Sequence, residues 1–146
     1  MALALGVSAC GHGERSFLQV QFCLSEAAGA TELKQVLQQI GRDDHMVFTD
    51  RSADTEAELR AMKGALPPEV VRSFPIINLS LRRGSVGLGG GNLGLGRNQV
   101  ALGFGPKTPE GRAFADRAVH RLRQDWKLVQ VPTDKGAFPL KDCPES

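Results

Sequence analysis

Apolar and polar residues alternate most regularly near the start of the chain. Between Ser16 and Leu24, Leu18, Val20, Phe22 and Leu24 fall at every second position, with Gln19, Gln21 and Cys23 between them. Period two predicts a strand with one buried face and puts Cys23 on the other. The period then changes. Behind Thr31, an N-cap residue type, Leu33, Val36, Leu37 and Ile40 recur at i, i+3, i+4 and i+7, which predicts a helix with a core-facing stripe ended by Gly41. Met46 to Thr49 predicts a short second strand. Thr55 and Glu58 have capping-box spacing and predict a second helix, with Leu59 and Met62 on its buried side and Gly64 as its stop. Leu66-Pro67-Pro68 must turn, because proline breaks a helix interior. Phe74 to Leu81 predicts a third strand, with Ile77, Leu79 and Leu81 on one face.

From Arg82 to Gly105 the pattern is dominated by glycine: nine of the chain's 17 glycines lie between Gly84 and Gly105. Val86 and Leu88, Leu93 and Leu95, and Val100, Leu102 and Phe104 keep period two inside it, and Gly90-Gly91 would suit a tight reversal. The expected structure is a glycine-rich hairpin or wide loop that feeds a fourth strand, Gln99 to Phe104. Thr108 and Pro109 are an N-cap and first-turn pair, followed by Ala115, Ala118, Val119, Leu122 and Trp126 on one helical face with Phe114 beside them. Leu128 to Val131 predicts a fifth strand. The order β-α-β-α-β-β-α-β predicts an α/β two-layer sandwich, a mixed sheet of about five strands with helices on one face. Its last strand–helix–strand unit predicts a parallel crossover.

Composition narrows the classes of function. The 146 residues suffice for one domain with a real core, and 41% hydrophobic with 23% charged residues is an ordinary globular balance. A formal charge of +2 and the absence of tyrosine give no sign of a nucleic-acid partner.

The first ten residues suggest an address. Ala2 to Ala9 is uncharged and mostly apolar, and Val7-Ser8-Ala9-Cys10 resembles the lipobox of small bacterial envelope lipoproteins. The resemblance covers these ten residues and implies lipidation at Cys10, removal of the preceding segment, and a periplasmic, membrane-anchored domain. Residues 11–15 would then be a tether and residues 16–146 the single α/β domain. The other reading of this segment is the apolar N-terminus of a cytoplasmic protein. If Cys10 carries lipid, Cys23 and Cys143 remain as an even pair in an oxidising compartment. A bridge between them would staple the tail to the first strand. Two unpaired thiols are the alternative.

Motifs for chemistry are sparse. Gly89-Gly90-Gly91-Asn92-Leu93-Gly94 has G-x-G-x-x-G spacing, but a strand follows where dinucleotide binding needs a helix. No Gly-Lys-Ser/Thr, G-x-S-x-G or H-E-x-x-H occurs, and the histidines and cysteines have no zinc spacing. The expectation is a protein without an enzymatic activity, cofactor or metal. Its candidate partner-binding residues are Arg82, Arg83, Gly89, Gly90, Gly91, Asn92 and Arg97, in a loop that covers a partner's cleft. Small lipoproteins of this kind include immunity proteins and inhibitors that neutralise an antibacterial toxin or envelope enzyme. An assembly accessory of an envelope machine and a small-molecule or anion-binding domain are the other readings.

Overall fold

A computed structural model describes residues 16–62, 75–93, 95, 98–134, 138, 140, 141 and 143. Cys10, the tether, Gly64, the Leu66-Pro67-Pro68 turn, Phe74 and Arg97 lie outside the described residues. The elements are β1 Leu18–Cys23, α1 Ala28–Asp43, β2 Val47–Asp50, α2 Ser52–Ala61, β3 Asn78–Arg83, β4 Val86–Gly91, β5 Gln99–Gly105, α3 Pro109–Leu122 and β6 Val129–Val131. They form the expected two-layer α/β sandwich around one six-stranded sheet of order β2-β3-β4-β5-β1-β6.

All five strand pairings are antiparallel, so the sheet is not mixed. The expected parallel crossover does occur in direction: β5 and β6 run the same way, but β1 lies between them and pairs with both. The sixth strand is Val86–Gly91, in the middle of the glycine stretch, paired along its length with β3 and for most of it with β5. The β3–β4 reversal falls at Gly84, whose φ of 60° suits glycine, and not at Gly90-Gly91.

The core lies between the sheet and α1 with α3. Phe22, Leu79, Leu81, Leu88, Leu102 and Phe104 from the strands meet Leu33, Leu37, Phe114 and Leu122 from the helices in one cluster. Phe104 packs on Phe114 with ring centroids 6.2 Å apart, and Phe22 on Trp126 at 5.3 Å. Thr108 caps α3 as expected, its hydroxyl accepting the Gly111 N–H at 3.1 Å.

Three local expectations change. α1 starts at Ala28, not behind Thr31, with Gly29 packed so closely on Leu24, just past β1, that a Cβ there would stand 3.3 Å from the Leu24 Cβ. Gly41 lies inside α1, where a Cβ would stand 2.9 Å from Leu81 Cδ2, and the reversal passes to His45 at φ 53°. α2 begins at Ser52, and among the described residues its buried side chains are polar. Met62 is 61% exposed, while Ser52 and Thr55 are buried. Their hydroxyls accept from Asn78, Ser52 from its backbone N–H at 3.0 Å and Thr55 from its side-chain amide at 2.9 Å. Thr55 is therefore a docking residue and not a cap. Asp44, just past α1, accepts from Arg117 at 2.6 Å and its carbonyl accepts from Arg83, joining α1, α3 and the β3–β4 hairpin.

Candidate functional site

Opposed residues in an antiparallel pair share a face, so the register maps the side of the sheet away from α1 and α3. One row across it reads Val47, Arg82, Gly87, Gly105. The next reads Thr49, Ser80, Gly89, Gly103, Gln19, and a third Asn78, Gly91, Ala101, Gln21. Arg82 is the one charged side chain in these rows. The tail occupies the β1 end of this face. Gln21 Nε2 donates to the Phe138 carbonyl at 2.6 Å, and Gln99 pairs with both backbone groups of Leu140 at 2.7 and 3.1 Å. Cys23 and Cys143 are joined in a disulfide across 120 residues, with Cα atoms 5.3 Å apart. Closing a loop of that length stabilises by about 4–5 kcal/mol on the chain-entropy estimate.

Of the five glycines of the face, Gly103 is crowded by a side chain, since a Cβ there would stand 2.3 Å from Ser16 Oγ, and the other four divide into two kinds. A Cβ on Gly91 would stand 1.7 Å from the Ile77 carbonyl oxygen, and one on Gly87 2.1 Å from that of Leu81, so the sheet itself demands glycine there. Gly89 and Gly105 are different. A Cβ on Gly89 would have no neighbour nearer than 3.8 Å, and one on Gly105 would enter open space. The chain's own packing does not require either to be bare. With Ser80 they leave a smooth floor beside Arg82, Val47 and Thr49, the last three exposed.

Of the sequence-predicted residues, the structure brings Arg82 and Gly89 onto this face. Arg83 is turned to the Asp44 carbonyl. Gly90 and Gly91 are strand residues with backbone contacts on both sides. Asn92 is 5% exposed; its Oδ1 accepts the Ile77 N–H and its Nδ2 donates to the Pro75 carbonyl, both at 2.8 Å. It locks the end of β4 to the segment entering β3. Val47, Thr49, Ser80 and Gly105 complete the face and were missed. The signal for them was the off-phase set of each strand: Ser80 and Arg82 alternate with Leu79 and Leu81, and Gly103 and Gly105 flank Phe104.

On the opposite side, Asp50 accepts from the Ser52 N–H at 2.9 Å and pairs with Lys34 at 2.9 Å. Partial burial alone would raise the Asp50 carboxyl. The hydrogen bonds from Ser52 and Lys34 and the Lys34 charge outweigh it and hold the group below its ordinary value. No group of three or more His, Cys, Asp or Glu among the described residues could hold a metal ion, and no described helix is long and apolar enough to cross a membrane.

No protein-family model, curated protein or solved structure matches this chain. Its own geometry therefore defines its class: a two-layer α/β domain with a disulfide-tied tail and an open, glycine-floored sheet face.

Proposed function

We propose that the protein is a non-enzymatic envelope lipoprotein that binds a protein partner through the outer face of β2, β3 and β4. Its role is that of an immunity protein or inhibitor that covers a partner's working surface. The observation that carries the binding part is the bare floor at Gly89 and Gly105, which the chain's own packing does not require. A partner's backbone or flat side chain can approach such a floor closely, with Arg82 at its border to meet a carboxylate or carbonyl. The mechanism is steric and needs no reaction. It uses the sheet face and not a projecting Gly84–Gly96 loop, because Val86–Gly91 is paired on both edges.

The address rests on the Val7-Ser8-Ala9-Cys10 pattern, and the Cys23–Cys143 bridge suits an oxidising compartment. Photocrosslinking in cells tests the reading, with p-benzoylphenylalanine placed at Thr49, Ser80 or, as a control on α3, Arg123. The expected result is a discrete protein adduct from Thr49 and Ser80 that Arg82→Glu abolishes. Adducts of equal yield from all three positions, or none from the sheet face, remove this face as the binding site. Fatty-acid labelling lost in Cys10→Ser tests the anchor separately.

A further inference from the structure

Among the described residues, the tail hydrogen-bonds to the outer face through its backbone: the Phe138 carbonyl, the Leu140 N–H and the Leu140 carbonyl. Gln21 on β1 and Gln99 on β5 supply the other half of each bond. Gln99 holds Leu140 at two points, Nε2 donating to the carbonyl at 3.1 Å and Oε1 accepting the N–H at 2.7 Å. A neighbouring antiparallel strand would exchange the same two bonds with one residue. Gln21 takes the carbonyl two residues earlier, the period at which an extended chain turns its backbone groups to one side. Such contacts engage the main chain whatever its sequence. The tail's side chains add little: Phe138 is 44% exposed, Lys141 is exposed and Leu140 is half-buried. The fit is also incomplete. Gln21 is wholly buried, yet its Oε1 has no hydrogen-bond partner among the described residues. Asn92 marks the contrast, with its buried amide oxygen and nitrogen both engaged. A buried carbonyl oxygen without a donor is a place for an incoming N–H.

We propose that Gln21 and Gln99 form a site for an extended peptide backbone, which the tail occupies while the Cys23–Cys143 bridge is closed and an extended segment of a partner protein takes when the bridge is opened. Gln99 stands opposite Cys23 in the sheet, so the bridge and the two-point contact hold the same end of the tail. Cys23 and Cys143 are half-buried and not enclosed, which leaves the bridge open to attack by a dithiol. One thiolate of the dithiol bonds to a sulfur of the bridge, and the other sulfur leaves as a thiolate. The second thiol of the reagent then closes on the first, so the dithiol ends as its own disulfide and Cys23 and Cys143 end as thiols, with two electrons and two protons transferred. An incoming segment offers the bonds that the tail makes and an N–H for Gln21 Oε1 besides. The site lies at the β1 end of the outer face, apart from Arg82, Val47 and Thr49, and stands whether or not the β2 end binds a protein.

The full chain carrying Cys143→Ser is equilibrated in a glutathione redox buffer with a peptide of residues 135–143, whose own cysteine is free to bond to Cys23. Proteolysis and mass spectrometry then locate and count the adducts on Cys23. The expected result is that Cys23 takes the peptide over an equal concentration of glutathione by about tenfold. Most of that preference is lost for a peptide N-methylated at the position of Leu140, which removes the N–H that Gln99 accepts, and in Gln99→Leu. A peptide with threonine at the positions of Phe138 and Leu140 keeps it. Circular dichroism verifies that the variants fold, and the N-methylated peptide needs no change at Gln99. Equal capture of peptide and glutathione overturns the site. Full preference for the N-methylated peptide overturns recognition through the backbone. Loss of preference with the threonine peptide restricts the site to the protein's own tail and overturns the partner.

Discussion

On the helix side of the sheet, β3, β4 and β5 present Leu79, Leu88, Leu102 and Phe104, each enclosed completely or nearly so. On the other side the same strands present Ser80, Gly89, Gly103 and Gly105. The first side is shaped by transfer of apolar area from water, and its side chains join those of α1 and α3 in one cluster. The second is shaped by the backbone: Gly87 and Gly91 are demanded by the carbonyl oxygens of Leu81 and Ile77, Gly103 is crowded by the Ser16 hydroxyl, and Gly89 and Gly105 have no such neighbour. A surface left smooth without internal need is where a partner can be sought, and a surface packed to density is where one cannot. The tail sharpens the contrast. It closes the β1 end of the outer face by polar bonds and one covalent link, where the helix side is closed by packing.

The contrast can be broken most severely from the helix side. Phe104→Ala should cost about 3–5 kcal/mol in urea unfolding, because it removes a wholly enclosed ring between Phe114 and the sheet. A cost under 1 kcal/mol would mean that this face is not the core. Next in size, Cys143→Ser should lower stability by about 2–5 kcal/mol and lower the melting temperature, with dithiothreitol then having no further effect on the variant. Within the outer face the two kinds of glycine should separate. Gly91→Ala should cost about 1–3 kcal/mol, since its methyl must displace the Ile77 carbonyl, while Gly89→Ala should stay within about 0.5 kcal/mol. Equal losses would dissolve the distinction on which the binding face rests.

Smaller effects test how α2 and β2 are held. Thr55→Val leaves the Asn78 side-chain amide without its acceptor and should cost about 1 kcal/mol. The smallest effect is electrostatic. Because the Asp50 carboxyl is held below its unfolded value, its contribution is present above the ordinary carboxylate range and is lost as pH falls through the lowered folded value. Lys34→Met should therefore narrow the stability difference between neutral and acid pH by a few tenths of a kcal/mol, read from urea midpoints across pH 2–7. An unchanged pH profile would show that the pair adds nothing.

Much of the fold was legible in the residue pattern. The alternation of Leu18, Val20, Phe22 and Leu24 marked β1, and the Thr108-Pro109 start with its apolar stripe marked α3. α2 was placed near its true position but with the wrong anchors, because Leu59 and Met62 look like a buried stripe while the docking is done by two hydroxyls and an amide. The glycine stretch misled for a related reason. Gly87, Gly89, Gly90 and Gly91 carry no side chain to show periodicity, so only the partners on both edges reveal a strand. Asn92, taken for a loop contact, is tied to Ile77 and Pro75, which lie fifteen and seventeen positions earlier in the chain.

By itself the sequence determined the elements whose apolar periodicity is strong, the two-layer class, and the cysteine pair available for bridging. These follow from local propensity and from the need to bury one face of each element. Tertiary structure decided the pairing of every strand as antiparallel, the insertion of β1 between β5 and β6, and the bonds that tie the tail to the outer face. Each of these depends on contacts between residues far apart in the chain, and a periodicity specifies only which face is buried, not what it is buried against.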